Sequence, residues 1–452
     1  MNTSFFGELL QTISDRGRAL LDRGRRGEAS ARSENLIELC EHLLSGRGEA
    51  SGVALARDIL ARYDELTIGP RIAFFEALAQ RFGTQPDRME QAIAVWREKP
   101  SDDTARQVHA ASEPRRQELF RRLNLAPGGT RSLVRMREQL MDALANRADL
   151  EPVDDDFVHL FTSWFNRGFL VLRHIDWSTP AIVLEKIIRY EAVHEIHDWD
   201  DLRRRIDPPD RRCYAFFHPA LIDEPLIFVE VALTREVPDA IAPILATGRD
   251  TVELEKARTA TFYSISNCQR GLAGVSFGNF LIKQVVEEIC RELPKLTTLV
   301  TLSPVPSFAS WLQRERTQDN SSALIEADKA ALVALDQPGW WLDAEKAEEL
   351  REPVMRAAAW YYLRARTPRG MPVDPVARFH LGNGARLERI NWLADVSEKG
   401  IAQSYGLMVN YLYDLDDIEK NHEAFAEQRT VVASSTVQRL LRPTLELVPI
   451  AG

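Results

Sequence analysis

Cysteine is scarce: only four of the 452 residues are Cys, at positions 40, 213, 268 and 290. They are scattered and form no CxxC pair, so neither a disulfide framework nor a structural zinc site is indicated, and they read as thiols, mostly buried, in a reducing compartment. No stretch approaches the roughly 20 apolar residues a membrane-spanning helix requires. HExxH, GxxxxGK[ST] and GxGxxG are all missing, which removes the commonest zinc-protease, nucleoside-triphosphate and dinucleotide readings. Positive charge is in deficit too. A net charge of -10 and a pI near 5.6 argue against a nucleic-acid or anionic-membrane partner engaged by the chain as a whole.

What is present has ordinary globular proportions, with 45% hydrophobic and 27% charged residues. The length implies two domains, or three. From Met1 to about Asn146 the apolar spacing of three and four in NLIELCEHLL, VALARDILARY, RIAFFEALAQRF and MEQAIAVW predicts helices, broken at SGRGEASG, TQPD and APGG. A helical bundle over residues 1–155 is the simplest arrangement. After EPVDDD the pattern changes, and FLVLRHI, CYAFFH, LIFVEVAL, TATFYSIS and TTLVTLS read as strands. Helical stretches such as FLIKQVVEEICREL alternate with them, so residues 156–452 are expected to form a second domain, a sheet covered by helices. The start MNTSFFGELLQTISDRGRAL lacks the basic-then-apolar order of a secretory signal and the end VPIAG is not a peroxisomal SKL, which makes cytoplasm the expected location.

Three places carry candidate chemistry. Between Thr259 and Ile289 a strand, a glycine-bearing turn and an amphipathic helix follow one another. Gln269, Arg270, Gly271, Leu272, Ala273 and Gly274 approximate the pyrophosphate loop of acetyltransferase-like domains, although Gly271 and Gly274 stand two residues apart rather than one. Glycines let the chain approach a phosphate while the helix dipole favours its charge; an ordinary strand-to-helix turn is the alternative. Gly274, Val275, Ser276, Phe277 and Gly278 also spell GxSxG, but Ser276 lies ten positions beyond Ser266 and not at the strand end where a nucleophile elbow belongs.

Ser303 ends the strand TTLVTLS, and Pro304 restricts it to extended geometry, which places its hydroxyl near the next helix N-terminus; a plain turn cap is the alternative. His380 stands in RFHLGNGARLERINWLADVS between Phe379 and the turn formers Gly382, Asn383 and Gly384, so its ring is expected to project from a sharp loop, with a structural histidine as the alternative. His194 and His197, with Asp198 and Asp200, do not make a metal site by spacing, because WDDLRRRI reads as a helix start with acidic first-turn residues. No metal is indicated.

Together these segments resemble the malonyl-CoA decarboxylases. The resemblance runs from RYEAVHEIHDWDDLRRRI through RRCYAFFHPALIDEPLIFVEVALT, FYSISNCQRGLAGVSFGNFLIKQVV and TLSPVPSFASWL to FHLGNGARLERINWLADVSEKGIAQSYGLMVNYLYDL. It implies a helical oligomerisation domain joined to an acetyltransferase-like (GNAT-like) α/β catalytic domain, an α+β chain assembled as a dimer of dimers. It also implies malonyl-CoA and acetyl-CoA as ligands, no cofactor beyond the CoA the substrate carries, and Ser303 and His380 as the catalytic pair with Tyr413 orienting the site. Residues 269–276, Val275 and Ser276 included, would hold CoA; some relatives carry a glutamate where Ser276 stands, so no acidic role is assumed there. In the expected chemistry Ser303 orients the malonyl carboxylate, backbone N–H groups near the glycine turn receive the thioester oxygen, and a protonated His380 delivers a proton to carbon. A covalent role for Ser303 is the chemical alternative. A CoA-dependent acyltransferase and a noncatalytic acyl-CoA sensor are the functional ones.

Overall fold

Apolar residues recurring at helical spacing build eight α-helices between Glu34 and Trp164 in the computed structural model, which describes residues 34–46, 49–275 and 281–441. These are α1 (Glu34–Leu44), α2 (Glu49–Asp64), α3 (Ile68–Gln80), α4 (Pro86–Glu98), α5 (Asp102–Ser112), α6 (Arg115–Asn124), α7 (Gly129–Leu144) and α8 (Glu151–Trp164). The boundaries follow local chemistry. Pro86 opens α4, whose first turn needs no N–H there, and Ser101 with Thr104 closes a capping box on α5. Phe74, Phe75, Leu119, Phe120, Met136 and Phe157 are buried between these helices, with Phe120 and Phe157 stacked at 4.1 Å. Each such side chain contributes roughly 1.5–3 kcal/mol of hydrophobic stabilisation.

The chain divides into two compact units. One takes residues up to Val171 with Phe217–Glu224 and Gln269–Phe277; the other takes Leu172–Phe216, Pro225–Cys268 and the chain from Gly278 onward. The second unit holds the sheet. Its strands are β1 (Val171–His174), β2 (Arg211–Phe217), β3 (Pro225–Thr234), β4 (Thr259–Asn267), β5 (Thr298–Thr301), β6 (Ser303–Pro304), β7 (Arg386–Asn391) and β8 (Met408–Leu412). They follow the order β1-β2-β3-β4-β5-β8-β6, with β7 also on β8. The longer helices of this unit are α9 (Ala181–Tyr190), α10 (Trp199–Ile206), α11 (Leu281–Glu292), α12 (Phe308–Thr317), α13 (Ala344–Leu363), α14 (Pro375–Gly382), α15 (Glu398–Ser404) and α16 (Ile418–Gln428). A helical bundle followed by a mixed sheet with helices agrees with the expected fold class.

One register detail positions the site. β4 and β5 run parallel and pair only from Thr259 with Thr298 to Phe262 with Thr301. Beyond that point β4 continues to Asn267, while the chain after β5 turns through Leu302 into β6 and pairs Ser303 with Val409 and Pro304 with Met408 of β8. The two strands therefore part company inside the sheet. β3 and β4 pair antiparallel throughout, with a bulge at Glu230/Val231 where the parting begins.

Cys40, Cys213 and Cys268 are buried and Cys290 is half-buried. Among the described residues no helix is long and apolar enough to cross a membrane.

Candidate active site

Where β4 and β5 separate there is a cavity of about 270 Å³. Phe262, Tyr263, Ser264, Ile265 and Asn267 of β4 line it, Ile227 of β3 adds to that wall, Ser303 and Pro304 come from β6, and Pro375, Val376, Phe379 and His380 come from α14. The remaining wall is Val193, from the irregular segment between α9 and α10. All of it lies within the second unit.

Ser303 is 6% exposed and its hydroxyl donates to Thr301 Oγ1 at 2.9 Å. Thr301 Oγ1 in turn accepts the Tyr411 N–H at 3.1 Å, so the strand ladder itself fixes the serine. α12 starts at Phe308, and the bridge to β8 turns Ser303 toward Thr301 and His380.

His380 also departs from expectation. It projects not from a sharp loop but from the last turn of α14, and it is 2% exposed. Asp374 caps that helix by accepting the Ala377 N–H at 2.8 Å, and Pro375 occupies its first turn. The glycine turn follows the helix; Gly384 has φ +82, and a Cβ there would sit 2.1 Å from the Ile418 carbonyl oxygen.

Nε2 of His380 lies 3.1 Å from Ser303 Oγ and Nδ1 lies 2.8 Å from the Tyr413 hydroxyl. Because Ser303 donates to Thr301, the network assigns the proton to Nε2, which donates to Ser303, while Tyr413 donates to Nδ1. The ring is stacked on Tyr411 at 4.6 Å. Burial pushes its pKa down to about 3, because the cation has lost its water. Without a charged neighbour the imidazole is therefore neutral at physiological pH, and the protonated form expected in the reaction needs a partner that favours the cation. Ser303, His380 and Tyr413 form one uncharged hydrogen-bonded chain. Asp374, which also accepts the Tyr361 hydroxyl at 3.2 Å, is raised to about 6 by burial.

A second buried cluster flanks the cavity and is charged. Both Glu191 carboxylate oxygens accept from the Ser264 hydroxyl, at 2.8 and 2.7 Å, and the Ser266 hydroxyl adds a 3.3 Å bond. The Val193 and His194 N–H groups donate to Glu191 at 2.7 and 2.8 Å. Nearby, Arg205 reaches Glu230 at 3.2 Å and the His194 carbonyl at 2.7 Å. Burial raises Glu230 to about 8 and lowers His194 to about 4. His194 is thus held inside, while the His197 side chain is 72% exposed, so the two do not converge on one ion.

Residues 269–275 belong to the first unit. There Arg137 of α7, 3% exposed and paired with Asp154 at 2.8 Å, donates to the carbonyls of Gly271 and Ala273 at 2.9 and 2.7 Å. Gly271 packs so closely that a Cβ would meet the Val134 carbonyl oxygen at 2.0 Å, and Gly274 takes φ +77. Arg270 pairs with Asp142 at 2.5 Å. Within the loop the N–H groups of Leu272, Ala273 and Val275 bond to Gln269, Arg270 and Leu272 carbonyls. Ser276 lies outside the described residues.

Sequence reasoning missed Thr301, Asp374, Glu191 and Arg137. Only Asp374 left a local signal, since Asp-Pro ahead of an apolar run marks a helix N-terminus.

Two family models match the chain: the malonyl-CoA decarboxylase C-terminal domain over residues 168–449 and the N-terminal domain over residues 82–165. A mitochondrial malonyl-CoA decarboxylase of Anser anser anser is 40% identical over 349 residues, covering 72% of this chain and 69% of that protein. The Rattus norvegicus enzyme is 36% identical, covering 80% of each. The crystal structure of malonyl-CoA decarboxylase from Rhodopseudomonas palustris, 59% identical, superposes with a TM-score of 0.88 over 91% of this chain and all of that one.

Proposed function

The chain belongs to the malonyl-CoA decarboxylase family of carboxy-lyases, and from that premise we propose that it converts malonyl-CoA to acetyl-CoA and CO2 at the Ser303–His380 cavity. The observation that carries the assignment of the site is the unbroken hydrogen-bonded chain from Thr301 through Ser303 and His380 to Tyr413 at the cavity wall.

The reaction takes up one proton: malonyl-CoA carries a carboxylate, CO2 leaves neutral, and the carbon left behind must be protonated. The thioester carbonyl is itself the electron sink, so neither metal nor organic cofactor is needed. Bringing a carboxylate into a dry cavity favours the charged form of a neighbouring imidazole. His380 therefore becomes cationic only while the substrate is bound. Ser303 hydrogen-bonds and orients the carboxylate; when the C–C bond breaks, its electron pair passes into the thioester enolate, and His380 returns its proton from Nε2 to carbon. Tyr413 serves both states, since its hydroxyl donates to Nδ1 of the neutral ring and accepts from Nδ1–H of the cation. No acyl-serine forms. Rapid quenching and mass spectrometry test this, and a kinetically competent adduct on Ser303 would replace the scheme with the covalent one.

Residues 269–276 are the proposed contact for the CoA pyrophosphate, supported by the open space beside Gly274 and by the rigid hold of Arg137 on the loop. A homo-oligomer, a dimer of dimers, is the proposed assembly, to be read by light scattering. A cytoplasmic setting is proposed, in keeping with the few, scattered cysteines. A spectrophotometric assay with malonyl-CoA alone decides among the functional readings. A decarboxylase releases acetyl-CoA without a second substrate, an acyltransferase waits for an amine, and a sensor consumes nothing.

A further inference from the structure

We propose that Val193 determines which acyl groups the cavity admits, excluding malonyl thioesters substituted at the α-carbon, and that Glu191 and Lys399 hold it in place. The proposal rests on the decarboxylase reading of the cavity and adds the acyl selectivity of that same site.

The other walls of the cavity are set by regular structure. Strands β3, β4 and β6 and helix α14 are held by their own backbone ladders. Val193 sits on a segment with no such ladder, and its backbone is bonded to side chains. On one side the Glu191 carboxylate accepts the N–H groups of Val193 and His194, and Ser264 and Ser266 bind that carboxylate to β4. The Ala192 N–H also donates to Ser266 at 3.3 Å. On the other side Lys399 of α15 donates to the carbonyls of Ala192 and Val193 at 2.5 and 3.0 Å. Every peptide group next to the Val193 side chain is thus gripped by a charged or hydroxyl group, and the wall does not yield when a larger ligand presses on it. A rigid β-branched residue against a small cavity discriminates by volume, because an added methyl group meets packed atoms. One methyl or methylene in such a pocket is worth roughly 10–200-fold in kcat/KM.

The test compares malonyl-CoA with 2-methylmalonyl-CoA as substrates of the full-length protein. The wild type is expected to favour malonyl-CoA at least about tenfold. Val193→Ala, at a half-buried position where truncation leaves the fold intact, is expected to cut that preference at least about tenfold by raising kcat/KM for the methylated ester. Glu191→Ala should shift the ratio in the same direction by freeing the segment. Glu191→Gln should restore the wild-type ratio, because its amide oxygen still accepts the two N–H groups and Ser264 can reverse its hydroxyl. A wild type indifferent to the methyl group, or a Val193→Ala variant in which both substrates change in parallel to within about twofold, overturns the proposal. No turnover of malonyl-CoA by the wild type strikes instead at the decarboxylase reading beneath it, and the selectivity proposal falls with it.

Discussion

Two buried polar clusters lie side by side on the cavity of the second unit, and they are built on opposite principles. Thr301, Ser303, His380 and Tyr413 are linked without a formal charge, each group passing one hydrogen bond to the next. The other cluster is built around the Arg205 guanidinium, which reaches Glu230, and the Glu191 carboxyl group, which is surrounded by backbone and hydroxyl donors. A buried charge is tolerated only when it is paired or fully hydrogen-bonded, and it then rigidifies what it touches. A neutral chain costs less to bury and stays free to accept charge from a ligand. The difference assigns chemistry to the neutral Ser303–His380 cluster and scaffolding to the one around Glu191 and Arg205.

The sharpest way to break that contrast is to remove the imidazole. His380→Ala should lower kcat by roughly 100-fold or more, with folding unchanged by circular dichroism. Near-normal turnover would place the chemistry elsewhere. Ser303→Ala should cost about 30-fold in kcat while leaving CoA affinity intact by calorimetry, since one orienting hydrogen bond to a charged group is worth roughly 1.5–3 kcal/mol.

Glu191→Ala should show the reverse pattern, losing about 2 kcal/mol in urea unfolding because buried donors are stranded, with kcat on malonyl-CoA reduced less than in either of the first two variants. His380 itself should leave a mark on stability. Its folded pKa is depressed below the unfolded 6.5 to about 3, so its contribution is complete above pH 6.5 and is lost as the pH falls toward 3. At pH 5 the loss is about 2 kcal/mol, and His380→Gln should flatten the acid limb of the stability profile by that amount. The smallest expected effect is Tyr413→Phe, about fivefold in kcat from a single lost hydrogen bond to the ring.

Much of this architecture was legible in the chain. Helical spacing identified NLIELCEHLL and its neighbours, and β-branched runs identified β2 to β5, because both signals are local. Ser303 was visible as a hydroxyl at a strand end. His380 stood out by residue type, but its local structure was masked, since the glycines after it outweigh the signal of Asp374 and Pro375 before it. Thr301 gains its role only through the N–H of Tyr411, 110 residues away in sequence. Arg137 likewise grips Gly271 across 134 residues. Periodicity and motif spacing report neighbours along the chain, and register between distant strands leaves no trace in either.

The most direct measurement is a crystal structure with a malonyl-CoA analogue that cannot lose CO2. Its terminal acid group is expected between β4 and β6, about 3 Å from Ser303 Oγ and from Nε2 of His380. An acyl group lodged away from that gap, with the imidazole untouched, would contradict the Ser303–His380 assignment.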